Sequence, residues 1–223
     1  MSALIRYQLA LLLRSQRWLP PLLMFAMLIT AGAFGGQQYG DSLGWCAGML
    51  VPGAGWLTRT VLTGEPAAAR ACLAAPVGPR RAHLSALLAA LVCGCVLALA
   101  GGSAEWLLSS PPPHLPHPPL AAIALHGSAA ILVGLLVGTA VGALCAPPLL
   151  GRPAIGVLTL ATASVLLLVA PVSPVNHAIR DVFTSSSPTA TTTLPLLPLL
   201  ASLGLLAVSG AAVVQLAARG VTD

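Results

Sequence analysis

The side chains that could do chemistry in this chain are few, and their spacing argues against most of it. His114 and His117 stand three residues apart in SSPPPHLPHPP, a spacing that could seat a metal, but no Cys, Asp or Glu lies near enough to complete a ligand set. Of the cysteines, Cys46, Cys72, Cys93, Cys95 and Cys145, four lie in apolar runs, where a thiol is usually a small buried hydrophobe. Cys93 and Cys95 are two apart, so on a helix their side chains diverge by about 200° and make a poor disulfide or metal pair. Ser103 in GGSAE has no histidine at a matching depth, which argues against an intramembrane hydrolase. The chain has ten arginines and no lysine. Without lysine there is no Walker lysine for a nucleotide and no Schiff base to retinal or pyridoxal phosphate. No catalytic, cofactor-binding or metal-binding residue is assigned.

The elements that must position these residues follow from composition. Hydrophobic residues make up 57% of the chain and charged residues 7%, with a mean hydropathy of +0.93. A soluble domain carries about 25% charged residues, so the composition is that of an integral membrane protein. The expected fold is all-α and polytopic. Six transmembrane helices, at about 19–36, 43–63, 84–108, 120–147, 154–172 and 194–218, form one membrane domain over 1–223, with both termini cytoplasmic. The second span is the weakest, being rich in glycine and holding Pro52 and a flanking Arg59.

Arginine placement orients the chain. With the N-terminus inside, the inner segments hold Arg6, Arg14, Arg17, Arg59, Arg70, Arg80, Arg81, Arg152 and Arg219, and the outer ones only Arg180. This is a strong positive-inside bias, and dropping the second span would scramble it. It also explains the net charge of +5 by orientation rather than by nucleic acid. Asp41, Glu105 and Asp181 fall outside. Before the first span, ALIRYQLALLLRSQRWLPP sets Arg6, Arg14 and Arg17 within about 80° of one another on a helix, the rest of the arc being mostly Leu, Ile, Tyr and Trp. Residues 3–19 therefore read as an amphipathic helix in the inner interface, with these arginines, and Arg80 and Arg81 later, as inner-leaflet anchors.

In GLLVGTAVG, Gly134, Gly138 and Gly142 share one helix face and allow close helix packing, within the subunit or across a dimer. His126, a few residues inside the fourth span, reads as a packing residue. In the outer segment 173–193, NHAIRDVF reads as one short helix before a Ser/Thr-rich tail.

The deep parts of these spans hold no Asp, Glu or Arg, which argues against a proton-driven pump. If the chain transports actively, the energy enters from a partner, and the largest cytoplasmic feature is the loop 64–83. Within it, Gly64, Glu65 and Pro66 open a short helix, PAAARACLAA, ended by Pro76 and Gly78. This is either an ordinary positive-inside loop or a helix that docks into a soluble ATPase.

The amphipathic segment, six spans with both ends inside, LTRTVLTGEPAAARACLAAPVGPRRAHL and the outer PVSPVNHAIRDVF together resemble the membrane subunit of type-2 ABC transporters, the permeases of many bacterial exporters. The resemblance is one of layout over nearly the whole chain. It implies a permease that pairs with itself or a similar permease and with two copies of a separate ABC ATPase, which supplies ATP and Mg, in a bacterial cytoplasmic membrane. It implies that the segment from Glu65 to Ala75 is a coupling helix, with Glu65 and Arg70 facing polar groups of the ATPase. It implies further that the outer segment caps an exit pathway for amphipathic or lipid-like cargo. An ATP-independent channel or carrier, or a structural membrane protein without substrate, is the alternative.

Overall fold

Proline and glycine decide where several helices begin and end. Pro79, Pro153 and Pro174 open three of them, where the missing N–H has no helical partner to lose. Gly78 separates two of them at φ 82, a left-handed value that other residues adopt at a cost. In the computed structural model, which describes residues 1–33, 38–110, 120–147, 149–185 and 192–219, the chain is all-helical. The helices are α1 (Ser2–Ser15), α2 (Leu19–Ala33), α3 (Tyr39–Thr63), α4 (Ala67–Val77), α5 (Pro79–Leu108), α6 (Leu120–Leu144), α7 (Pro153–Val169), α8 (Pro174–Thr184) and α9 (Leu196–Arg219).

Three of these, α5, α6 and the Leu196–Ala217 portion of α9, are long and apolar enough to cross a membrane. A fourth is reached if α7 and α8, bent by 44° at their junction, count as one broken span. The chain is thus a multi-pass membrane protein by the length and composition of its helices. At 1.5 Å per residue α5 is about 45 Å long, against a hydrocarbon core of about 30 Å. Its first turn, with Arg80 and Arg81 exposed, has room to stand beyond the core.

Helix α3 holds the bundle together. It is 25 residues long, and 18 of them are buried. Its glycines, its threonines, Asp41 and Arg59 lower its hydropathy, and it packs against α2, α5, α6, α7 and α8. A helix sheathed by other helices meets little lipid and needs little hydropathy. Close packing holds it instead, because lipid tails give apolar helices no hydrophobic reason to associate.

The tightest seam joins α3 to α6. A β-carbon placed at Gly134 would overlap the Ala47 carbonyl, one at Gly138 would lie 2.6 Å from the Val51 oxygen, and one at Gly142 would overlap the Gly55 carbonyl. Both partners advance by four residues at each step, so the two helices run parallel in fixed register. Gly134, Gly138 and Gly142 therefore face α3 of the same chain. Between the two packing partners that the sequence leaves open, the structure places the stripe inside the subunit.

Helix α1 has Ile5, Gln8, Leu9 and Leu12 on its inward face, at the spacing of one helix stripe, and packs on α5. Arg6, Arg14 and Arg17 are exposed. The break after α1 comes at Gln16, which takes a left-handed conformation at φ 53, while Pro20 and Pro21 sit in the first turn of α2. Helix α8 is capped by Ser173, whose Oγ accepts from the Val175 N–H. It buries Val175, Ala178 and Val182 against the bundle, so this outer helix is part of the core.

Candidate functional site

The sequence points to the turn between α3 and α4, and the structure shows how that turn is held. Residues Gly64, Glu65 and Pro66 form it. The Glu65 side chain is only 6% exposed and turns inward, accepting hydrogen bonds from Tyr7 Oη at 3.0 Å and Gln8 Nε2 at 3.3 Å, both on α1. The hydrogen bond to the Glu65 carboxylate, with smaller contributions from burial and from its charge, raises the Tyr7 phenol above its ordinary pKa and keeps it a donor. Arg70, one turn into α4, folds back so that one Nη2 donates to the Leu62 carbonyl at 3.0 Å and the Glu65 carbonyl at 3.1 Å. The Leu62 carbonyl is in the last turn of α3, where helical partners run out, and the Glu65 carbonyl is in the turn that follows. Arg17 Nη1 reaches the Thr63 carbonyl at 3.5 Å from the other side.

The Glu65 carboxylate is turned inward and binds the turn to α1, which differs from the outward placement expected of it. Arg70 is half-exposed and binds α4 to the end of α3 and to the turn. Behind them lies a recess of about 30 Å³ lined by Gln8, Glu65, Arg70 and His83, a volume that suits a single water molecule. The signal for the Glu65 contact was Gln8, a polar residue on the inward stripe of α1.

What α4 does present is Ala68, Ala71, Cys72 and Ala75, exposed at the i, i+3, i+4, i+7 spacing of one helix face. The face is small and apolar, with no charge of its own. Arg80 and Arg81 are exposed just beyond it, on the far side of Gly78. The helix starts two residues after Glu65 and continues through Pro76 to Val77, slightly past the stop read from the sequence.

Two other charged groups differ from their expected places. Arg59 is buried within α3, donating from Nε to the Cys145 carbonyl and from Nη2 to the Pro153 carbonyl, each at 3.0 Å. It ties α3 to the α6–α7 connection rather than adding to a solvated loop. Glu105, expected at the outer surface, is 0% exposed within α5, and neither carboxylate oxygen has a hydrogen-bond partner. The five cysteines are free thiols. His126 is half-buried in α6, and Ser103 Oγ donates to the Ala100 carbonyl of its own helix. His114 and His117 lie outside the described residues. Among the described residues no group of His, Cys, Asp and Glu has the makings of a metal site.

No family model, curated protein or solved structure matches the chain.

Proposed function

We propose that this chain is the transmembrane permease subunit of an ATP-binding cassette exporter in a bacterial cytoplasmic membrane, coupling hydrolysis by a separate ATPase to export of an amphipathic substrate. The observation that carries the reading is α4. It is a short helix between two bundle helices, clamped to α3 and α1 by Arg70 and Glu65, with one small apolar face left uncovered. A rigidly mounted helix with a bare, close-approach face is suited to seating in a cleft of another protein and passing on its movement.

The six-span reading has support beyond helix length. α3 runs parallel to α6 from Ala47 to Gly55, so a membrane crossed by α6 is crossed by α3 over the same depth. α2, apolar apart from Thr30, covers about 22 Å in its 15 described residues, so its span in this reading extends beyond them. With Gln8 of α1 sharing a recess with Ala82, His83 and Ala86 in the first turns of α5, the exposed arginines of both elements gather on one side of the membrane. That side is cytoplasmic in this reading, and both termini lie there. The chain pairs with itself or with a similar permease, and with two ATPase copies that bring ATP and Mg.

The test is co-purification from the native host with a tagged chain. Wild type is expected to retain an ATPase, and Ala71→Arg, which places a long charge on the bare face, is expected to insert normally and lose at least tenfold of it. An Ala71→Arg chain with undiminished ATPase yield and coupled turnover would remove the basis for the proposal.

Glu105 favours a second reading, an ATP-independent carrier. A carboxylate enclosed in a membrane helix without a partner is the kind of group that couples a proton to transport. Reconstitution separates the two: uptake driven by a pH gradient without ATPase, and abolished by Glu105→Gln, supports the carrier, whereas transport that needs ATPase and survives Glu105→Gln supports the exporter.

A further inference from the structure

The buried helix α3 has one open stripe. Asp41, Trp45, Met49, Pro52 and Trp56 are its more accessible residues, at steps of four, four, three and four, which is a single helix face. The upper part of that stripe forms one wall of a cavity of about 370 Å³, closed on the other side by Leu168 of α7 and by Ile179 and Phe183 of α8. Small-ligand sites span roughly 300–1,000 Å³, so the volume is that of a modest organic molecule. Gly44 and Gly48 let Leu168, Ile179 and Phe183 come close to the α3 backbone, so the free space lies beside these two positions, along Asp41, Trp45 and Met49. A β-carbon at Gly44 would reach Phe183 at 3.3 Å, and one at Gly48 would reach Leu168 at 3.5 Å.

The chemistry of the lining is one-sided. Asp41 is its only charged group, stands exposed in the first turn of α3, and is in no ion pair among the described residues. Arg180, the residue after Ile179, is exposed on α8 and outside the lining. Trp45 has already used its indole N–H, which donates to the Leu28 carbonyl at 2.8 Å, and its ring is fixed against Gly32. What Trp45 gives the cavity is ring surface, not a donor. Phe183 adds a second ring, and Met49, Leu168 and Ile179 add apolar surface.

We infer that this cavity binds an amphipathic organic cation, an ammonium or phosphonium on an aromatic or aliphatic body. The positive centre sits between the Asp41 carboxylate and the Trp45 ring, and the body lies against Met49, Leu168, Ile179 and Phe183. A carboxylate and a π face both attract a cation, tryptophan being the best of the aromatic residues at it. An anion of the same shape meets like charge and no free lining donor. The inference deepens the proposed function by naming a cargo class: that the bound cation is cargo rests on the exporter reading, whereas its binding does not.

The test uses the full chain in nanodiscs, without any ATPase, so failure here is separate from failure of the exporter reading. The probe is radiolabelled tetraphenylphosphonium, with protein-free nanodiscs as the blank for partition into lipid. The competitor is tetraphenylborate, which has the same shape and opposite charge. Saturable binding is expected, poorly displaced by tetraphenylborate. Asp41→Asn, at an exposed position, is expected to weaken it about tenfold or more. Gly48→Leu is expected to abolish it by filling the cavity, with thermal unfolding showing that the variant is folded. Asp181→Asn, outside the lining, should leave it unchanged. Absence of saturable binding to wild type, equal binding by Asp41→Asn, or equal competition by tetraphenylborate would overturn the inference.

Discussion

Replacing Gly138 by alanine tests the packing on which the bundle rests. The added carbon would sit 2.6 Å from the Val51 oxygen and 3.1 Å from both the Leu50 oxygen and Val51 Cα. Those are backbone atoms and cannot swing away. To reach an ordinary 3.4 Å from the Val51 oxygen, α3 and α6 must part by about 0.8 Å. Overpacking of this kind costs roughly 1–3 kcal/mol. Against it stands the gain of about 1 kcal/mol that alanine brings to a helix interior over glycine. Gly204 in α9 isolates the second effect, since a β-carbon there meets nothing within 4 Å. Gly204→Ala should therefore be neutral or stabilising, and Gly138→Ala should fall below it by the packing cost. At roughly 2–4 °C per kcal/mol for a chain of this size, the gap in Tm is expected to be about 2–12 °C in detergent. The double variant Gly134→Ala with Gly142→Ala should fall further, because both carbons overlap carbonyls. Light scattering on the same samples checks the alternative. If Gly138→Ala and Gly204→Ala melt together while the oligomer of Gly138→Ala dissociates, the stripe is an interface between copies and the parallel α3–α6 register is wrong.

Three further outcomes follow from the inward-turned charges. Arg59→Lys keeps the charge but cannot span the Cys145 and Pro153 carbonyls as a guanidinium fork does, and Arg59→Met leaves both without their donor. Each should lower stability by about 2 kcal/mol, with the methionine variant the worse, as read by thermal unfolding. At the α1 contact, Glu65→Ala and Tyr7→Phe should each destabilise, and the double variant should cost about 1 kcal/mol less than their sum because both remove one hydrogen bond. Tyr7 also gives the contact a pH dependence. Its pKa is raised in the folded chain, so its contribution is complete below the unfolded value of about 10 and is lost as pH rises through the folded one. Wild type should lose stability in that alkaline window, and Tyr7→Phe should lose less.

The helices were legible because their signals are local. Apolar runs, the arginine stripe of α1 and prolines at helix starts are read from neighbouring residues, and each places an element to within a few positions. The weakness of the second span was legible too, but its cause was not. Hydropathy measures fitness for lipid, and α3 is enclosed by protein. The glycine stripe showed that a close approach exists, whereas its partner depends on register between residues such as Gly138 and Val51, far apart in sequence. Side-chain direction failed most at charged residues. Glu65 stands in a loop, Arg59 and Glu105 near the ends of predicted spans where a charge is expected to face out, and each is buried. Carbonyls at the ends of α3 and α6 give the arginines a reason to turn in that no periodicity displays. The Glu105 carboxylate has no such partner.

The inward charges bear on how movement would pass through the chain if α4 meets an ATPase. A surface loop of free arginines would absorb a push from outside. Here Arg70 bonds α4 to the Leu62 carbonyl at the end of α3 and to the Glu65 carbonyl of the turn, and the Glu65 side chain bonds the same turn to α1. On the other side, Gly78 is the single residue between α4 and α5, and its positive φ makes that joint a corner rather than a tether. A displacement of α4 is therefore delivered to α3. Because α3 is locked in register against α6, carbonyl against glycine, it cannot readily slide alone, and tilting of the pair is the easier motion. The stripe of α3 turned away from α6 carries Trp45 and Met49 into the cavity beside α7 and α8. Tilting the pair changes the distance between that stripe and Leu168 or Phe183, so the same seam that stabilises the bundle would set the width of the cavity. Gly138→Ala, which loosens the seam without touching the cavity, should then weaken ATPase-coupled transport more than it weakens cation binding. Equal loss of both would place the seam in stability alone.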